Sequence, residues 1–161
     1  MDKKIAFLGD SITAWNNYSG VENYGVPGYF SRDVLWQLEE NQKIKGDVAV
    51  LMIGVNDILS DVSSEKIFQN ISKILDILNE RFERTIVVSV LPTMYIDKNK
   101  KIKNLNFFLR EQLFTDKLMI DNLFLNGMGV IDNKYSSDGV HLSPLGYELL
   151  NKKIKEILED Y

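Results

Sequence analysis

Three apolar runs, Ile5 to Leu8, Val48 to Ile53 and Ile86 to Val90, the last broken by Ser89 alone, alternate along the chain with segments whose apolar residues recur every three or four positions. A strand with no polar residue on either face has to be covered on both, which is the condition of a parallel sheet packed between helices. Two weaker strand candidates lie near Val21 to Tyr24 and at Leu118 to Ile120. Between the strands, Val34, Leu35 and Leu38 mark one helix, with Ser31 as its expected N-cap and Phe30 placed to staple Leu35. Ile67, Phe68, Ile71, Ile74, Leu75 and Leu78 mark a second, capped by Ser63 or Ser64. A third is predicted around Ile102, Leu105, Leu109 and Leu113. The last opens on Ser143 as N-cap and Pro144 at the first helical position, followed by Leu150, Ile154, Ile157 and Leu158 on one stripe.

Such alternation predicts an α/β fold, a three-layer α/β/α sandwich of flavodoxin-like type with a mostly parallel five-stranded sheet. The 161 residues carry no repeat and no linker, so a single domain over 1–161 is expected. Hydrophobic residues make up 45% and charged residues 26%, which excludes disordered and low-complexity classes. The longest apolar run, Val48 to Val55, is far shorter than the roughly 18 residues of a membrane span. The start, Met1-Asp2-Lys3-Lys4 and then a strand, has no signal-peptide character, and a cytoplasmic location is expected. A net charge of -4 is the wrong sign for general nucleic-acid binding, so no nucleic-acid partner is expected. Cysteine is absent, which removes disulfides, thiol nucleophiles and cysteine-based zinc sites.

Ligands of open parallel sheets bind beyond the carboxyl ends of the strands. On that predicted edge fall Gly9-Asp10-Ser11-Ile12, Asn23-Tyr24-Gly25-Val26-Pro27-Gly28, Gly54-Val55-Asn56-Asp57 and Asp138-Gly139-Val140-His141. A serine hydroxyl is a poor nucleophile until a base takes its proton. The chain has one histidine, so only His141 can supply an imidazole to Ser11. Asp138, three residues earlier, is close enough to accept from Nδ1 and leave Nε2 facing the serine. Acyl transfer also needs donors aimed at the developing oxyanion. The Ser11 N–H, the Gly28 N–H and the side-chain amide of Asn56 are the candidates.

Taken in order, these four blocks resemble those of the SGNH (GDSL-type) hydrolases, and they span residues 9–141. The resemblance implies a three-layer α/β/α fold and serine-dependent cleavage of carboxylic esters or thioesters without metal or organic cofactor. Carried over by position, it makes Ser11 the nucleophile, His141 the base, Asp138 its orienting acid, and Ser11, Gly28 and Asn56 the oxyanion hole. Ile12 stands where the family has Leu, and Tyr29 follows Gly28 where Asp or Thr is frequent.

The expected substrate is a small-molecule ester with a short acyl group, such as an acetylated sugar, a small ester or a lysolipid, in an open site without a large lid. A thioesterase is the near alternative. A non-enzymatic flavodoxin-like module binding flavin or an anion at the same edge is the other. Asp10 is expected to order the nucleophile loop, and Asp57 to form an Asx-type turn after the third strand. Trp15, Tyr18, Tyr24, Tyr29 and Tyr95 are candidate pocket aromatics, and Lys98, Lys100, Lys101 and Lys103 read as a solvated helix start.

Overall fold

The computed structural model describes residues 2–160; Met1 and Tyr161, the ends of the expected 1–161 domain, lie outside the described residues. The strands are β1 (Ile5–Gly9), β2 (Glu22–Asn23), β3 (Gly46–Met52), β4 (Phe82–Val88) and β5 (Asp116–Leu118). They form one sheet in the order β2-β1-β3-β4-β5, and every pairing is parallel. The helices are α1 (Ser11–Ala14), α2 (Ser31–Glu40), α3 (Val55–Leu59), α4 (Ser64–Arg81), α5 (Ile96–Gln112) and α6 (Pro144–Glu159). This is the α/β sandwich that the apolar alternation predicts, with all neighbours parallel.

Both faces of the central strands are covered, which is why their sequences show no polar alternation. Phe7, Val50 and Val88 face α6, where Leu150 and Ile154 meet them. Ala6, Leu8, Ala49 and Leu51, one residue out of phase, lie on the opposite face and are fully buried. On that side α2, α4 and α5 pack in a row. None of the described helices is long and apolar enough to cross a membrane.

Strand order reverses between β1 and β3, which opens a crevice at their carboxyl ends. The two strands are in register as far as Gly9 and Met52. Asp10-Ser11 and Gly54-Val55-Asn56 therefore leave the sheet side by side.

Five local expectations need correction. Ser31 does not cap α2. Phe30 occupies that position, and the Asp33 carboxylate accepts its N–H at 2.8 Å. Ser31 is fully buried, and both its N–H and its hydroxyl donate to Asp57, at 2.9 and 2.8 Å. With the helix starting there, Leu35 lies one position beyond a staple, and the Phe30 ring instead meets the Arg32 guanidinium at 4.6 Å. Asp57 makes no Asx turn; it lies in the first turn of α3 and ties that helix to the start of α2.

The fifth strand runs Asp116–Leu118, earlier than expected, because the N–H groups of Ile120 and Asp121 turn to Ser89 Oγ and leave the ladder. Helix α5 begins at Ile96, well before Ile102, because its first turns face the interior with Asn99 in place of an apolar residue. By contrast, Ser63 and Ser143 cap α4 and α6 as expected, each accepting a backbone N–H. Lys98 and Lys101, in the expected solvated cluster, both reach Asp61, at 2.6 and 2.9 Å.

Truncating Asp57 leaves two buried donors of Ser31 unpartnered, since Asn70 already donates to the same hydroxyl. Asp57→Ala is expected to lower unfolding free energy by about 2–3 kcal/mol in urea melts, and Asp57→Asn, which keeps one acceptor oxygen, by about half of that.

Candidate active site

Ser11 opens α1 directly beyond β1. Asp10 caps that helix with its carboxylate, accepting the Ile12 N–H at 3.0 Å, as expected for an ordering role. Ala14 and Trp15 close the turn by donating to the carbonyls of Asp10 and Ser11 at 2.8 and 2.9 Å. The serine is buried, 8% exposed.

His141 arrives from the other end of the chain. Its Nε2 lies 2.9 Å from Ser11 Oγ although the residues are 130 positions apart. Its Nδ1 lies 2.6 Å from Asp138 Oδ2. Asp138 Oδ1 accepts the backbone N–H groups of Val140 and His141 at 2.9 and 2.7 Å. Desolvation works against the charge on Asp138, but the His141 ring bond and these two backbone bonds outweigh it and bring its carboxyl down to about 2. An ionised carboxylate can only accept, so the neutral imidazole carries its proton on Nδ1. Its bare Nε2 then accepts the serine O–H.

Gly28 and Asn56 meet through the residue between them. Asn56 Nδ2 donates to the Tyr29 carbonyl at 3.0 Å and keeps a second N–H. Val26 to Tyr29 form a tight turn in which Tyr29 N–H donates to the Val26 carbonyl at 3.2 Å. Pro27 and Gly28 occupy its centre, and Gly28 has φ +85°, a type II geometry that only glycine adopts readily. No atom lies near the space a Gly28 Cβ would occupy, so the turn conformation is what requires glycine here. The Val26 N–H bonds the Gly9 carbonyl at 3.1 Å, which anchors the turn beside Ser11. Among the described residues no three His, Cys, Asp or Glu side chains come together as a metal site.

Of the candidate aromatics, Trp15 touches the histidine, with ring centroids 4.5 Å apart. Tyr29 supplies the carbonyl that holds Asn56. Tyr18 instead packs on Phe7, Tyr24 donates to Glu22, and Tyr95 begins α5. Three supports were not legible beforehand. Tyr147 donates to the Ile12 carbonyl at 2.7 Å, Asn16 and Asn151 exchange amide bonds at 2.8 and 2.9 Å, and Met94 N–H donates to the Gly139 carbonyl at 2.8 Å. Each is a long-range contact with no local signature.

A sequence profile of the GDSL-like lipase/acylhydrolase family matches residues 7–149. The chain belongs to the GDSL-like lipase/acylhydrolase family. It is similar to the platelet-activating factor acetylhydrolase IB subunit alpha2 of Rattus norvegicus, 29% identical over 96% of this chain and 75% of that protein. It also matches an N-acylneuraminate cytidylyltransferase of Streptococcus agalactiae at 26% identity, over 95% of this chain and 38% of the relative. The chain thus spans well under half the length of that relative. A GDSL-like lipase structure from Bacteroides thetaiotaomicron superposes with a TM-score of 0.86 at 21% identity, covering 98% and 88% of the two chains.

Within this GDSL-like domain the two aspartates beside the imidazole are perturbed in opposite directions. Burial pushes the Asp10 carboxyl up to about 6, against the Ile12 N–H bond and the attraction of His141. A raised folded-state value means that the folded chain holds this proton more tightly than the unfolded chain. The corresponding stability is complete below about pH 4 and is lost as pH rises through about 6. Asp138 stays ionised across that window. Relative to Asp10→Asn, the unmodified chain is expected to lose on the order of 2–3 kcal/mol of stability between these limits in paired urea melts. A pH-independent difference between the two proteins overturns the assignment.

Proposed function

We propose that this chain is a serine esterase that removes short acyl groups from small-molecule esters through an acyl-enzyme on Ser11. The observation that carries the reading is the 2.9 Å contact between Ser11 Oγ and His141 Nε2, with Asp138 on the opposite ring nitrogen. His141 takes the hydroxyl proton as Ser11 Oγ attacks the acyl carbonyl. The tetrahedral oxyanion rests on the Ser11 and Gly28 N–H groups and on the second N–H of Asn56. His141 then gives the proton to the departing alkoxide and the C–O bond breaks. Water repeats the sequence: His141 removes its proton, the acyl–serine bond is cleaved, and the carboxylic acid and free Ser11 are restored. No step calls on a cofactor.

The family match supports ester hydrolysis, and the acetylhydrolase relative supports a short acyl group. His141 and Asp138 side chains are 26% and 53% exposed, so the triad opens to solvent from the histidine side, which suits an alcohol portion extending outward.

A fluorophosphonate probe read by intact mass tests the reading. One adduct is expected on the wild type, none on Ser11→Ala, and slow labelling on His141→Ala. Turnover of a short acetyl ester is expected to fall at least about a thousandfold in both variants. Asp138→Asn is expected to lose at least about a hundredfold, because an amide turned toward Nδ1 forces the tautomer that protonates Nε2. Labelling that persists in Ser11→Ala overturns the proposal.

A further inference from the structure

We infer that Trp15 is a positioning residue for His141, its indole holding the imidazole in line with Ser11 and stabilising the imidazolium that forms when the serine proton is taken. The inference rests on the serine-esterase reading. It starts from an exposed tryptophan that its surroundings do not otherwise explain. Trp15 is 56% exposed at the end of α1, a costly place for a large apolar ring. The aromatic partner it has is the histidine, at 4.5 Å between centroids with the rings tilted by 40°.

The two hydrogen bonds of His141 leave from the ring nitrogens and lie along its edge. They align the Nδ1–Nε2 direction, and the loop's hydrogen bonds fix its backbone, but neither bears on the face of the ring. A flat partner against that face does. Trp15 is well suited because its own backbone is tied to Ser11: its N–H donates to the Ser11 carbonyl at 2.9 Å, one turn downstream. Whatever moves the serine therefore carries the indole with it, because the two are joined by a covalent segment of five residues, Ser11 to Trp15.

Charge adds to the effect. The face of an indole is negative, and a cation beside it is stabilised to an extent that neutral imidazole is not. The carboxylates facing His141 are Asp138 on its own loop and Asp10 from the β1–α1 turn, while Glu148 of α6 shares a groove with Trp15, Leu142, Pro144 and Tyr147. All remain in place when Trp15 alone is changed, so differences among Trp15 variants report on the indole.

Having a single histidine makes the test direct, because its imidazole C–H resonances are the only ones in the proton NMR spectrum of the chain. Trp15→Ala, Trp15→Leu and Trp15→Phe are compared by NMR titration and by steady-state hydrolysis of p-nitrophenyl acetate. Trp15→Ala is expected to move the imidazole titration midpoint to lower pH and to reduce kcat about fivefold with little change in KM. Trp15→Phe, which keeps a π face, restores most of both; Trp15→Leu, which fills space without one, leaves the midpoint low. Unchanged midpoint and kcat in Trp15→Ala overturn the inference, as does rescue by leucine equal to that by phenylalanine. The NMR arm needs no turnover, so a failure of the serine mechanism, read from Ser11→Ala, is separable from a failure of this inference.

Discussion

Everything at the candidate site depends on holding the two ends of the chain against the same sheet edge. Ser11 and His141 meet at 2.9 Å although they are 130 positions apart, and neither loop could enforce that alone. Helix α6 does so. Leu150 and Ile154 seat it on the Phe7, Val50 and Val88 face of the sheet. Tyr147 and Asn151 then reach across to Ile12 within α1 and Asn16 just beyond it. Apolar packing sets how deep the helix lies, but it is tolerant of sliding. Directional bonds from two successive turns are not, since a shift of one turn, about 5.4 Å, breaks all of them. The polar contacts thus convert a general packing preference into a register.

The carboxyl edge of the sheet is held in a related way. Strands that end in a crevice leave backbone groups without ladder partners, and buried ones must find others. Side chains supply them here. Asn106 bonds both the N–H and the carbonyl of Val90, and Asn99 does the same for Thr93 while also donating to the Gly129 carbonyl. Ser89 takes the N–H groups of Ile120 and Asp121. Asp57 gathers the start of α2 against α3, which carries Asn56. The result is a rim of hydrogen-bonded, buried polar groups around the candidate site, whose proposed chemistry requires fixed donors. Rigid support of this kind lets an oxyanion be met without rearrangement.

The same rim explains what the sequence could and could not convey. Apolar runs disclosed β1, β3 and β4, because burial on both faces leaves a signal that needs no knowledge of neighbours. Ser63 and Ser143 were legible as caps because capping is local. Ser31 was misread for the complementary reason: its hydroxyl answers to Asp57, 26 positions away, and local spacing carries no trace of that. Asn99 hid the true start of α5 by occupying a core-facing position with an amide, which periodicity counts as surface. At the site, Ser11, Asp138, His141, Gly28 and Asn56 stood out because each block contains chemistry within a few residues. The contact between Ser11 and Asn56's neighbourhood follows from the β1–β3 register, and that became visible only with the fold. Trp15 was noticed as an aromatic near the edge, but its pairing with His141 needed coordinates.

The orientation of His141 reduces finally to the backbone of a four-residue loop. Two N–H groups, from Val140 and His141, saturate Asp138 Oδ1, so Oδ2 is the oxygen left for the imidazole. That arrangement requires the chain to fold back between Asp138 and Val140, and Gly139 does it at φ +88°. A Cβ at Gly139 would collide with the Met94 side chain, whose own N–H holds the Gly139 carbonyl. Ser136 closes the loop from the other side, accepting the Gly139 N–H and donating to the His141 carbonyl, both at 2.7 Å. Because these are backbone bonds, the choice of tautomer is made before any substrate arrives and does not depend on its binding. Asp138 is half exposed, where a lone ion pair with histidine would be screened and weak. The loop's own N–H groups add to the imidazole's bond in keeping the carboxylate charged, and they aim it.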